Sequence, residues 1–261
     1  MLKSLNTAAT GMKAQQTNMD TIANNISNVS TTGFKKARAE FEELMYQTIK
    51  EPGAQTGANS ISPTGVQVGL GAKTGAIQKD FAQGSTKITR NPFDVEIQGA
   101  GFLPVQLPSG QIAYTRDGSL KKGPDGRLQD KNGNAIQPEI VIPPEAAGVE
   151  ISPDGRVRII TGTNTVPQQI GQFQLVSFVN PAGLRSMGGN LFIPSNASGL
   201  PQQGVPGSTG LGVIAQGQLE TSNVNIVDEM VNMIGAQRAY ETNSKVIQAS
   251  DQMLQYMNNL R

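Results

Sequence analysis

Apolar residues recur at alternating intervals of three and four along the first helical stretch, at Leu2, Leu5, Ala9, Met12, Met19, Ala23 and Ile26, with Gln16 at the one polar step. This heptad stripe predicts a helix roughly 40 Å long at about 1.5 Å per residue. The stripe is thin, because two of its members are alanine and Gly11 inside the segment costs about 1 kcal/mol of helix stability. Such a helix is marginal alone in water, and Thr31-Thr32-Gly33 ends it. At the other terminus, residues 225–260 place Ile226, Met230, Met233, Tyr240, Ile247 and Leu254 on one stripe, with Val246, Met253, Met257 and Leu260 beside it and Gln237 and Ser244 at intervening positions. Asn223 or Asn225 is the expected N-cap, and Asp228 and Glu229 fall in the first turns, where the helix dipole favours negative charge. No proline interrupts the segment and no glycine follows Gly235, so one long helix is predicted. Periodicity leaves two readings open for both ends: an amphipathic helix packed on its own domain, or one strand of an intermolecular coiled coil.

Between the ends the pattern changes. Residues 35–50 carry Phe41, Leu44, Met45 and Ile49 at helical spacing with Glu40, Glu42 and Glu43 on the other side, which predicts a short third helix ended by Glu51-Pro52-Gly53. Residues 54–70 are rich in Gly, Ser, Thr, Gln and Asn and read as an extended or loop linker. From about residue 73 to 218 strand signals follow at short intervals. The clearest is Phe93-Asp94-Val95-Glu96-Ile97-Gln98, which alternates strictly, while Ile140-Val141-Ile142 and residues 173–178 read as more deeply buried strands. Asp117-Gly118, Asp125-Gly126, Asn132-Gly133, Asp154-Gly155 and Pro108-Ser109-Gly110 punctuate this region as hairpin turns. The fold class expected is α+β: N- and C-terminal helices pairing as a coiled-coil-like inner domain, with an inserted, mainly antiparallel β domain. The expected division is 1–30 (N-terminal helix), 31–72 (short helix plus linker), 73–222 (β domain) and 223–261 (C-terminal helix).

Composition narrows the chemistry. Among 261 residues there is neither cysteine nor histidine, which removes disulfides, thiolate metal sites and the commonest general base. The formal charge is +1, with no dense basic run, so nucleic acid is not an expected partner. A charge near zero does little to keep copies of one chain apart. The first residues lack an apolar core of roughly 7–15 residues, and no stretch approaches the roughly 20 apolar residues of a membrane span, so neither a cleaved signal peptide nor membrane insertion is expected.

Asp94, Glu96, Asp117, Asp125 and Asp154 are the candidates for paired-carboxylate chemistry on polysaccharide. The pattern assigns the first two to the polar face of a strand and the others to turns. Gly99-Ala100-Gly101 resembles part of a phosphate loop but opens no helix, so the donor array is missing. No catalytic residue, metal site or cofactor is predicted.

Two long motifs stand at opposite ends. Ala23-Asn24-Asn25-Ile26-Ser27-Asn28-Val29-Ser30-Thr31-Thr32-Gly33-Phe34-Lys35 resembles the N-terminal signature of bacterial flagellar rod and hook proteins, with serine at 27 in place of the usual alanine. Gln237-Arg238-Ala239-Tyr240-Glu241-Thr242-Asn243-Ser244-Lys245, followed by Asp251-Gln252-Met253-Leu254, resembles their C-terminal signature. Residues 46–53, Tyr114-Thr115-Arg116-Asp117-Gly118 and Glu220-Thr221-Ser222-Asn223-Val224-Asn225 are similar to the distal rod branch of that family, with Leu103 where a second phenylalanine is usual. The resemblance implies a structural subunit, not an enzyme, that polymerises with itself into the distal rod of the basal body, with paired terminal helices around an export channel and the β domain outside. It implies proximal rod proteins, the hook protein and the outer L- and P-ring proteins as partners. The implied location is the rod spanning the periplasm, reached by export without a cleaved signal.

Overall fold

The computed structural model describes residues 2–53, 55–57, 60–161 and 164–259. They form two compact units. A helical unit comprises Met1–Ser27, Ala37–Gln78 and Asn225–Arg261, and a β unit comprises Asn28–Lys36 and Lys79–Val224.

In the helical unit, α1 (Leu2–Ser27) packs along α2 (Ile226–Asn259). Helix α1 is rich in threonine, and its hydroxyls are satisfied inside the helix: Thr7, Thr17 and Thr21 each donate to the carbonyl four residues back, at 3.0, 3.1 and 2.8 Å. Asn225 caps α2, its Oδ1 accepting the Val227 N–H at 3.1 Å. The helices meet through small and polar side chains: Ala8, Ala14, Thr21, Ile22 and Asn25 are buried on α1, and Glu229, Ala236 and Ser250 on α2. Gly11 marks the closeness of approach, since a methyl group there would sit 2.9 Å from Asn243 Nδ2.

The short helix expected over residues 35–50 is absent. Ala37–Glu43 is a strand paired with Ala72–Lys79, and Tyr46–Lys50 pairs antiparallel with Val66–Gly69. The spacing of Phe41, Leu44 and Ile49 fits a helix, but main-chain partners prevail. The Asn25 amide engages both the N–H and the carbonyl of Ala37, at 2.9 and 2.8 Å, as a neighbouring strand would. Glu42 then meets Lys73 across the ladder at 3.0 Å, and Arg38 meets Glu40 two residues along the same face at 2.9 Å. The former linker also contains paired strands, Gln55–Gly57 with Ser60–Ile61. Ala54, where that linker was expected to begin, lies outside the described residues.

In the β unit every recorded strand pairing is antiparallel. A seven-stranded sheet runs in the order Lys121–Lys122, Leu128–Gln129, Ala135–Ile136, Leu103–Gln106, Ile112–Thr115, Leu191–Ile193, Arg185–Gly188. Ala146–Ile151, Arg156–Thr161 and Asn164–Gln172 form a three-stranded sheet, and Val95–Gln98 pairs with Val213–Gln216. One core gathers Ile97, Leu103, Val105, Ile136, Phe173, Leu175 and Ile214, so Leu103 is a fully buried aliphatic contact. A second cluster stacks Phe81, Phe102, Tyr114, Phe178 and Phe192 edge to face.

Gly126, Gly133 and Gly155 hold φ of 77°, 84° and 79° in their hairpins, and Gly110 holds 82°, as the turn motifs require. Asp117-Gly118 is not a hairpin turn. Asp117 is buried, accepts from the Ser119 N–H and hydroxyl and pairs with Lys131 at 2.9 Å, while the Gly118 carbonyl accepts from Val95 N at 3.0 Å. Asp94 and Glu96 are not on a solvated face either: both are buried, Glu96 accepting from Gln83 and Thr86 and Asp94 from Asn91. Ile140-Val141-Ile142 forms only a single bridge, Val141 to Arg127, with Ile140 and Ile142 buried and Val141 exposed.

Gly33 has φ of 67°, and a Cβ there would stand 2.9 Å from the backbone of Arg116 and Asp117. Gly133 has similar φ but open space around it. Gly33→Ala is therefore expected to destabilise the protein by about 3 kcal/mol, against about 1 kcal/mol for Gly133→Ala. Equal midpoint losses for the two in urea unfolding would refute the steric argument.

Candidate assembly surface

The stripe expected for helix packing lies beside the one that is buried. On α1, Leu5, Met12, Met19 and Ile26 are half-buried and Ala9 and Ala23 exposed, while the interior is Ala8, Ala14, Ile22 and Asn25. The Leu2 side chain and Leu260 lie outside the described residues. On α2, Met233, Ile247 and Leu254 are half-buried, whereas Ile226, Met230, Tyr240 and Met253 are exposed. Val227, Val231, Ile234 and Tyr256 extend this bare apolar surface, Val231 being 64% and Tyr256 71% exposed. The reason is steric: alanine, serine and glycine let the two backbones approach, and this turns the larger apolar side chains outward.

Of the signature residues, Asn25 is the most constrained. Besides holding Ala37, its Nδ2 reaches Glu229 Oε2 at 3.3 Å, so one buried polar contact ties α1 to the first turn of α2 and fixes their register. Asn243 lies against Gly11; Asn28 Oδ1 accepts from Thr31 at 3.2 Å; Asn24, Gln237, Arg238 and Tyr240 are exposed. Gly33 and Phe34 belong to the β unit, where Gly33 N donates to the Glu220 carbonyl at 2.8 Å and Phe34 is buried, 5.6 Å from the Lys79 ammonium.

The β unit also contains an ionic cluster. Glu220 Oε1 meets Lys35 Nζ at 2.6 Å and Oε2 meets Arg116 Nε at 2.9 Å, with all three side chains essentially inaccessible. The positive charge in excess is spread over carbonyls: Arg116 donates to Ile97, Gly99 and Gly101, and Lys35 to Ala82. Gly99-Ala100-Gly101 thus serves the opposite sign from a phosphate loop, since φ of 113° and 134° at its glycines goes with carbonyls presented to a guanidinium. Burial pushes the Lys35 ammonium below its ordinary value and Arg116 adds to that, with Glu220 opposing. Burial alone would raise the Glu220 carboxyl, but Arg116 and then Lys35 outweigh it and hold it low. These residues carry no helical or strand periodicity, so the sequence pattern missed them. The available signal was their place in motifs already singled out, at Lys35, Arg116 and Glu220.

Of the carboxylates weighed for catalysis, Asp94, Asp117, Asp154 and one oxygen of Glu96 are engaged by neighbouring groups. Asp94 accepts from Asn91 at 2.9 Å, Asp154 pairs with Arg156 at 3.0 Å and Glu96 accepts from Thr86 at 2.8 Å. Among the described residues no group of three or more His, Cys, Asp or Glu could hold a metal, and no helix is long and apolar enough to cross a membrane.

Three family profiles match the chain: "Flagella basal body rod protein" over residues 5–35, "Flagellar hook protein FlgE/F/G D1 domain" over 96–159 and "Flagellar basal body rod FlgEFG protein C-terminal" over 215–260. The chain is 48% identical to the flagellar basal-body rod protein FlgG of Buchnera aphidicola subsp. Schizaphis graminum, with all of both chains covered. It is 49% identical to that of Borreliella burgdorferi, covering all of this chain and 99% of the relative, and 46% identical to that of Caulobacter vibrioides, covering all of both. Lys35, Arg116 and Glu220 fall one in each matched stretch.

Removing one member of a buried pair leaves the other charge uncompensated, so Glu220→Gln is expected to cost about 3–5 kcal/mol at neutral pH. Because folding lowers the Glu220 pKa, its contribution is present above the unfolded value of about 4.3 and is lost as pH falls through the lower folded value. Lys35, lowered as well, acts at the alkaline end: stability rises as pH climbs from its folded pKa toward about 10.4, because there the unfolded chain holds more protons. Urea titrations across pH should show the acid loss in the wild type and a flatter acid limb in E220Q; superimposable limbs would remove Glu220 as the cause.

Proposed function

The chain belongs to the flagellar basal-body rod protein FlgG family, a family of structural rod components, and on that premise we propose that it polymerises with copies of itself into the distal rod of the bacterial flagellum. The observation carrying this reading is the bare apolar patch at the start of α2, made by Ile226, Val227, Met230, Val231 and Ile234, on a helix whose buried positions are mostly small or polar. Contiguous exposed apolar surface of this kind is covered by a partner in a working protein. A second copy offers a matching surface in the partly open edge of α1, at Leu5, Met12, Met19 and Ile26. Head-to-tail contacts whose rotation does not close grow an open helical shaft. In this reading the helical unit encloses the export channel. The shaft spans the periplasm between the proximal rod proteins and the hook protein, turns within the L- and P-ring proteins and passes torque to the hook. The subunit acts as a structural component and performs no catalysis.

The ribbon of Tyr46–Lys50 and Val66–Gly69 has a part in the same reading. Tyr46, Ile49, Val66 and Val68 are exposed on it, and a two-stranded ribbon has little stability unless something packs on it. Laid against adjacent copies, it stiffens the shaft and keeps it straight.

Two outcomes are expected. Met230→Asp and Ile234→Asp should leave the circular dichroism of the dilute chain unchanged, because both positions are exposed, and should raise the concentration at which polymers sediment at least tenfold, each buried apolar side chain contributing about 1.5–3 kcal/mol. Polymerisation at wild-type concentrations would sink the assignment of this face. Shafts assembled from a chain lacking residues 46–69 should curve in electron micrographs; straight ones would free the ribbon from that role.

A further inference from the structure

The two helices of the helical unit run in step. Asn25 Nδ2 meets Glu229 Oε2 at 3.3 Å, and a methyl group on Gly11 would stand 2.9 Å from Asn243 Nδ2, so fourteen residues along α1 match fourteen along α2 in the opposite direction. The antiparallel pair has two distinct ends. At the root end α1 finishes at Ser27 and α2 starts at Ile226, where both rejoin the rest of the chain; the free end holds the start of α1 and the close of α2.

Charge is divided between these ends. Residues 18–27 and 226–236 form the root end and contain Asp20, Asp228 and Glu229, with no lysine or arginine. Residues 2–17 and 237–259 contain four cations, Lys3, Lys13, Arg238 and Lys245, against two carboxylates, Glu241 and Asp251. Asp20, Asp228, Lys3 and Lys13 are exposed, and among the described residues none of the four has an opposite charge within ion-pair distance. The bare patch of Ile226, Val227, Met230, Val231 and Ile234 lies on the turns that carry Asp228. Half-buried Leu5 and Met12 lie at the basic end, between Lys3 and Lys13 in sequence.

Within one subunit these surfaces are kept apart. Asp228 is level with Ile26, and Lys13 lies roughly 20 Å further along the helix axis at about 1.5 Å per residue. Copies shifted by about that distance bring them together. We propose that copies add to the shaft end to end, the acidic, apolar root end of one helix pair seating on the basic free end of the next. This rests on polymerisation of the chain with itself and names the two surfaces that join. Opposite charges steer the encounter and reject the reversed orientation, since root on root or free end on free end brings like charges together. A contact between unlike ends also gives every added copy the same polarity, so growth has one direction. The strands beside α1 disturb this balance little, because Arg38 is matched by Glu40 and Lys73 by Glu42.

Two full-length variants each reverse one end. Asp20→Lys/Asp228→Lys makes both ends basic, and Lys3→Glu/Lys13→Glu makes both ends acidic. Each alone should raise the concentration at which polymers sediment about fivefold or more, because exposed contacts change from attraction to repulsion. An equimolar mixture of the two should polymerise near the wild-type concentration, with the variants alternating, since each then offers the end that the other lacks. At about 1 M salt, where the screening length falls to roughly 3 Å, the differences should vanish. Double variants that polymerise like the wild type, or a mixture that does no better than its parts, would overturn the end-to-end contact. Polymer formation by the wild type in the same assay reads self-assembly separately.

Discussion

One carboxylate, that of Glu220, stands between two buried cations contributed by chain segments 185 and 104 residues away. Neither cation could be buried without it, because an unpaired ammonium or guanidinium in a dry interior costs several kcal/mol. The remaining positive charge is met by the carbonyls of Ile97, Gly99, Gly101 and Ala82, and this demand sets local backbone geometry. Two glycines at positive φ bring their carbonyls to Arg116, and Gly33 lies so close to the Arg116 backbone that no side chain fits. Three segments of the β unit, around residues 35, 116 and 220, are therefore obliged to meet at one point.

The helical unit rests on a weaker principle. Its seam is held by proximity of small residues and by one amide that serves two elements, Asn25 reaching both the first residue of the strand Ala37–Glu43 and Glu229 on α2. Small side chains permit close approach and contribute little transfer free energy. Larger apolar residues on the outside of α2 reverse the usual arrangement, and the reversal makes sense for a subunit whose stability is completed by its neighbours. Glu220→Gln and Met230→Asp separate these two layers, since the first acts on the isolated chain and the second on its polymer.

The terminal helices were legible because heptad spacing persists over many turns without proline, and the hairpins because Asp-Gly and Asn-Gly pairs need positive φ. Residues 37–50 misled because a glutamate-rich amphipathic pattern fits a helix as well as a strand with solvent on one side. What decides is the amide of Asn25 and the partner strand Ala72–Lys79, neither of which a local window contains. On α1 the buried Ala8, Ile22 and Asn25 each precede an expected stripe position by one residue, while Leu5, Met12, Met19 and Ile26 of that stripe are half-buried. The burial of Glu96 is hidden for a related reason: alternation within a strand says nothing of a second layer, here the segment of Gln83 and Thr86, lying over its polar side. Lys35, Arg116 and Glu220 had no periodic signature at all, since an ion pair is defined by its partner and not by its spacing.

The arrangement divides labour between interactions of different range. The ionic cluster and its hydrogen-bonded surroundings are specific and unforgiving, because each donor has its own acceptor and a missing one is costly. The apolar face of α2 is tolerant, because area, not geometry, sets its strength. A subunit that must be one defined shape, yet add to a growing shaft at any moment, needs the first kind of interaction inside and the second kind outside. The prevalence of alanine, serine and threonine among the buried positions of α1 and α2 is consistent with the same requirement, since a large apolar side chain left at the surface of α2 stays available to another copy.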